Sequence, residues 1–176
     1  MAIRNPQIAL KPQDLLICFK LVCVTQHKYS YAALANSLGI STSEAHACVS
    51  RLSKARLVAL EDPGFTAIRS RISEFVIHGA AYAFPAIFGS PTRGMPTAYA
   101  GPPLNGLINQ PDDLPPVWPD PTGEVRGIAL FPLYPTAPRA ARSDTELYEN
   151  LALFDALRSG AARERELAKE LLSQRL

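Results

Sequence analysis

Residues Tyr29–Val58, YSYAALANSLGISTSEAHACVSRLSKARLV, decide how the chain is read. Ser30 is suited to cap a helix running through Tyr31, Ala32, Ala33, Leu34, Ala35 and Leu38, because its hydroxyl can accept from a backbone N–H that the first turn leaves open. Gly39 supplies the left-handed residue that ends this helix. A second helix opens at Ser41-Thr42-Ser43-Glu44, a capping box in which hydroxyl and carboxylate satisfy reciprocal backbone N–H groups. At about 100° per residue, Ala45, Cys48, Val49 and Leu52 fall on one stripe, and Ser43, His46, Ala47, Ser50 and Lys54 on the opposite one. The first stripe predicts burial. The second is small, polar and free of bulky hydrophobes.

A helix with such an outer stripe can enter a major groove about 12 Å wide without steric conflict. With the small Ala35, Gly39 four positions later and the apolar Ala45 and Cys48, the stretch resembles the helix-turn-helix of bacterial winged-helix transcriptional regulators of the MarR-like superfamily. The resemblance implies a sequence-specific, non-enzymatic regulator that binds double-stranded DNA as a homodimer, without a cofactor. Ser43, His46, Ala47 and Ser50 then face base edges, and Ser41 and Thr42 belong to the same surface at the start of the helix. Arg51 and Lys54, near its end, are expected at the sugar-phosphate backbone.

Beyond that helix, Leu57-Val58-Ala59-Leu60 and Phe65-Thr66-Ala67-Ile68 flank the turn Glu61-Asp62-Pro63-Gly64, the layout of a short hairpin wing. A wing that grips phosphate usually has a basic tip, whereas Glu61 and Asp62 would repel it. Arg56, Arg69 and Arg71, at the base of the hairpin, are the expected phosphate contacts.

Composition sets the outer limits. A chain of 176 residues with 47% hydrophobic and 19% charged residues can bury a sizeable core. It has no apolar run long enough for a membrane span and no signal-like start, which predicts a cytoplasmic protein. The net charge is only +2, but residues 1–78 carry nine Lys and Arg against five acids, so the positive surplus accompanies the helix-turn-helix. Cys18, Cys23 and Cys48 form no CxxC pair and read as thiols in an apolar interior. Cys23 and His27, spaced i, i+4, are the alternative as a metal-binding pair.

Pro12 and Asp14 introduce a helix over about 11–26 whose apolar residues surround it on most sides, predicting a central buried helix. Another follows over about 69–83, with Ile72, Phe75, Val76, Gly79, Ala80 and Ala83 at spacings of three and four. Thirteen of the sixteen prolines then lie between Phe84 and Pro138, a density that no long helix survives. Ala98-Tyr99-Ala100 and Val125 to Phe131 are the candidate strands, within extended segments draped over the helices. Arg93 is a candidate anion contact and Asp112, Asp113, Asp120 and Glu124 a candidate metal cluster, although ordinary turn chemistry explains both. No Ser/His/Asp or Cys/His set, GxxxxGK or HExxH is present, so no enzyme active site is visible.

The tail returns to helix, with Ser143 and Glu146 read as a second capping box and Leu147, Leu151, Phe154 and Leu157 as an apolar stripe. That stripe and the one from Ile72 to Ala83 are the expected homodimer surfaces. The expected fold is mainly α, of the α+β class. It comprises a winged helix-turn-helix (1–69), a connecting helix (70–84), a proline-rich, strand-poor region (85–140) and a C-terminal helical hairpin (141–176). In layout the chain resembles a group of small bacterial winged-helix proteins with proline-rich C-terminal regions, found beside toxin-antitoxin or phage-defence genes. That likeness implies the alternative of a protein-binding module, an antitoxin or defence regulator that engages a partner protein through its C-terminal region.

Overall fold

The computed structural model describes residues 7–23, 29–109 and 113–176. Helix α1 (Pro12–Val22) is closed at its start by Asp14, whose carboxylate accepts from the Lys11 N–H at 2.8 Å, and every residue from Gln13 to Val22 is buried. It ends at Val22. Cys23 is its C-cap; the rest of the expected helix, and His27 with it, lie outside the described residues, so the Cys23/His27 pair does too. Helix α2 (Tyr31–Leu38) starts at the Ser30 cap and stops at Gly39, which holds the left-handed φ of 65°. Helix α3 (Thr42–Lys54) begins with the Ser41/Glu44 capping box and buries Ala45, Cys48, Val49 and Leu52. Strands β1 (Val58–Leu60) and β2 (Phe65–Ala67) pair antiparallel, with Leu60 opposite Phe65 and Val58 opposite Ala67. Helix α4 (Arg69–Phe75) continues through a π-helical turn (Val76–Ala80) into the short α5 (Ala81–Ala83).

The proline-rich part is not strand-poor. Strands β3 (Phe88–Pro96), β4 (Pro116–Pro119) and β5 (Val125–Leu130) form a small closed sheet in which β3 runs antiparallel to both others and β4 and β5 run parallel. Proline is compatible with this sheet because of where it falls. Pro96, Pro116 and Pro119 terminate strands, and Pro91 stands at the register shift after Phe88, where the regular ladder is interrupted. Gly94 is required by the tight closure, since a Cβ there would run into the Trp118 backbone carbonyl. Of the two expected strands, Val125–Leu130 forms, whereas Ala98–Ala100 is a 3-10 turn.

The tail holds α6 (Ala137–Arg142), α7 (Thr145–Ser159) and α8 (Ala162–Arg175). The cap of α7 is Asp144, accepting from Leu147 N–H at 3.0 Å, in place of the expected Ser143/Glu146 box; Ser143 instead closes α6. Helix α7 is buried almost all round, with Leu147 and every residue from Asn150 to Leu157 inside. The apolar stripes expected to form a dimer interface are therefore covered by the chain itself. Leu147, Leu151 and Phe154 pack within the core, as do Ile72, Val76 and Ala80 on the helix that begins with α4.

The molecule is thus of mixed helical and strand type, and a single buried cluster extends from Leu15 to Leu172. Phe19 of α1 meets Phe154 of α7 with ring centroids 5.5 Å apart, and Lys20 pairs with Asp144. Inside the second half, the carboxylate of Asp155 accepts from Thr97 Oγ1 and Trp118 Nε1 on one oxygen and from Arg158 Nε on the other. Arg158 also donates to the Phe84, Pro85 and Phe131 carbonyls, so this buried ion pair joins α7 to the segments at both ends of the closed sheet.

Candidate nucleic-acid interface

The outer side of α3 leaves Ser41, Thr42, Ser43, His46, Ala47, Ser50 and Lys54 exposed. Among these, Ser41 is committed within the fold. Its hydroxyl accepts from Glu44 N–H at 3.1 Å, and its N–H and hydroxyl both donate to Glu44 Oε2 at 2.8 Å. Glu44 is held in turn by Gln13 from α1 and by the Tyr134 hydroxyl. The Ser41 backbone N–H, then its hydroxyl, then Gln13 and Tyr134 lower the Glu44 pKa below the usual carboxylate value. The N-terminal end of α3 is therefore fixed by contacts from three separate parts of the chain.

His46 is fixed as well. Its ring stacks on Tyr31 with centroids 3.5 Å apart and 17° between planes, and Tyr31 leans on Phe65 of β2. Sequence spacing could not show this, because Tyr31 looks like an ordinary apolar residue at the start of α2. Arg139 of α6 lies across Gly39, at a position where a β-carbon would overlap its guanidinium. The two lie far apart in the chain, and no local signal links them.

The expected cations divide into two groups. Arg51 is clamped by the fully buried Asp14, with Nε to Oδ2 at 2.8 Å and Nη2 to Oδ1 at 2.6 Å. It is a bridge between α3 and α1 and does not reach out to a DNA backbone. Arg69 turns inward, donating to the Val22 carbonyl at 2.6 Å and the Arg175 carbonyl at 2.8 Å. Its expected phosphate role is likewise replaced by an internal one. Much of the basic surplus thus serves the fold, since Lys20 is also paired.

Lys54, Arg56 and Arg71 remain at the surface. Arg56 adopts a left-handed φ of 61° just beyond α3, and its carbonyl accepts from Arg71 Nη1 at 3.2 Å. These two arginines line a shallow groove of about 370 Å³ with Glu74 and Phe75. The tip of the β1–β2 hairpin is acidic, and Glu61 accepts there from the Thr66 hydroxyl.

Asp120 pairs with Arg142 and caps its own turn at Thr122 N–H, while Asp112 lies outside the described residues. Among the described residues no three His, Cys, Asp or Glu side chains gather as a metal site. No described helix is long and apolar enough to cross a membrane. No family model matches the chain, and neither curated proteins nor solved structures give a match.

Proposed function

We propose that residues 12–67 act as a winged helix-turn-helix that binds double-stranded DNA, and that the protein is a non-enzymatic, sequence-specific transcriptional regulator. The observation that carries this reading is the two-sidedness of α3. One side is fully buried through Ala45, Cys48, Val49 and Leu52, and the other presents Thr42, Ser43, His46, Ala47 and Ser50 with no large apolar side chain. Short polar groups on a helix of this width can reach base edges in a major groove directly or through water. Lys54, Arg56 and Arg71 lie at the far end of the same helix and supply phosphate contacts there. The acidic wing tip makes no such contact in this reading. Selection from a randomised duplex pool, followed by sequencing, tests it. The parent should enrich a common motif, and Ser50→Leu, folded by circular dichroism, should lose that motif. No enrichment by the parent would count against the whole reading.

A second reading, a protein-binding module, is favoured by the exposed Ile87, Phe88 and Phe131. The Phe131 N–H donates to the Ile87 carbonyl at 2.9 Å, which keeps these two apolar residues together at one end of the closed sheet, while Phe88 faces a separate groove with Tyr99 and Ile128. Exposed apolar clusters of this kind mark interaction surfaces. If the surface joins two copies, light scattering should find a dimer that Ile87→Ser with Phe131→Ser dissociates.

A further inference from the structure

The strongest unassigned feature is a pair of arginines on the closed sheet. Arg93 of β3 and Arg126 of β5 are direct register partners. The Arg93 carbonyl is turned to the other side, where it accepts from Asp120 N–H at 3.1 Å, so towards β5 the pair is of the non-hydrogen-bonded type. Such pairs have the shorter Cα separation, about 4.5 Å, and the closer side chains. Both arginines are exposed, and among the described residues neither side chain has a hydrogen-bonding or ion-pair partner. Glu124, just before β5 and two residues from Arg126, is exposed and pairs with neither. Like charges placed directly opposite each other disfavour the sheet. An anion between them removes that repulsion, and two guanidinium forks match phosphate oxygens.

The position of the pair says which anion. Arg139 lies across Gly39 at the turn into α3, Arg142 is one turn further along α6, and Arg142 pairs with Asp120 at 2.5 Å. The Asp120 N–H in turn bonds the Arg93 carbonyl. Three direct contacts therefore lead from the start of the recognition helix to the arginine pair; Arg142 is neutralised by Asp120, and among the described residues Arg139 is the unpaired cation on that path.

We propose that Arg93 and Arg126, with Arg139 between them and α3, form a second phosphate-contacting site that holds the DNA backbone beside the segment read by α3. This rests on the DNA-binding reading of α3. It gives the proline-rich half a part in binding: the closed sheet presents two strands so that both guanidinium groups face one phosphodiester chain.

The test uses the full chain and a fluorescein-labelled duplex of about 30 base pairs and mixed sequence, with anisotropy titrations between about 50 and 200 mM salt. Removing one phosphate contact reduces the slope of log K against log salt by about one. Arg93→Gln with Arg126→Gln should reduce it by about two, and Arg139→Gln by about one. Arg93→Lys with Arg126→Lys should keep most of the slope. Arg163→Gln with Arg165→Gln, the same change in net charge on α8, should leave it unchanged. Circular dichroism and the emission of Trp118 establish that each variant is folded. A parent that binds and a double Gln variant with an unaltered slope would overturn the arginine site while leaving the α3 reading in place. An equal drop in the α8 control would overturn it too, by showing an effect of net charge alone. A parent that binds no duplex would remove both.

Discussion

At the scale of single residues, Arg51 and Lys54 are three positions apart on one helix and have different expected phenotypes. Arg51 neutralises Asp14, which is 0% exposed. Its replacement by Ala leaves that carboxylate with the Lys11 N–H but no counter-ion, a change expected to cost about 3 kcal/mol. Urea denaturation should therefore show a lowered midpoint for Arg51→Ala. For Lys54→Ala the midpoint should stay within error, while the salt slope of DNA binding falls by about one. The reverse pattern would exchange the two assignments. The cysteines give an independent residue-scale test. Burial first, then nearby carboxylates, push the Cys23 thiol up to about 12; burial and Asp14 do the same to Cys48, and Cys18 is raised as well. Because the thiolate is the reactive form, all three should resist an aromatic disulfide reagent at about pH 8 in the native protein and react on denaturation. Rapid reaction of Cys18 or Cys48 in the folded state would contradict their complete burial, whereas Cys23 is only partly covered.

At the scale of elements, the sequence is legible wherever the determining chemistry lies within a few residues. The Ser30 and Ser41 caps, the Gly39 stop, the buried stripe of α3 and the hairpin turn at 61–64 are all of this kind. The closed sheet escapes such reading because its logic is long-range. Prolines in β3 and β4 read as breakers until their pairing shows that they stand at strand ends and at a register shift. Ser at that spacing from Glu is the commoner cap pattern, which favours Ser143 on sequence, yet it is Asp144 that reaches the Leu147 N–H. In the candidate site, helical periodicity alone places Ser43, His46, Ala47 and Ser50 on the outer side. The inward turns of Arg51 and Arg69 have no local signal, because their partners lie far away in sequence. The element-scale prediction concerns Asp155, which is 1% exposed. Asp155→Ala strands Arg158, whose side chain is 4% exposed, and releases Thr97 and Trp118. A destabilisation of about 3–5 kcal/mol is expected. Trp118 is the single tryptophan, so its emission should shift to longer wavelength at lower urea than in the parent.

At the scale of the whole molecule, the two halves share one interior, and their most direct ionic link is Lys20 with Asp144. Burial opposes the charged Lys20, but the hydrogen bond and charge of Asp144, with Tyr29, outweigh it and raise the pKa above 10.5. A raised lysine pKa contributes stability that is complete below the unfolded value and is lost as pH rises through the folded one. The difference in urea midpoint between parent and Lys20→Met should accordingly stay constant from about pH 7 to about 9.5 and shrink above about 10.5. A difference independent of pH up to about 11.5 would show that the pair adds nothing through charge. The same shared interior predicts that a fragment ending at Phe84 melts without a cooperative transition in circular dichroism, because the surface of α1 that meets Phe154 would face water.

That interior also has a consequence for biosynthesis. Phe19 leaves the ribosome about 135 residues ahead of Phe154, an interval of roughly 7–27 s at about 5–20 residues per second. Throughout it, α1 carries apolar side chains on every side with no α7 to cover them. The nascent chain is then a ligand for whatever binds exposed hydrophobic segments at the exit tunnel. Its yield in a cell should depend on that binding more steeply than the stability of the finished protein would suggest.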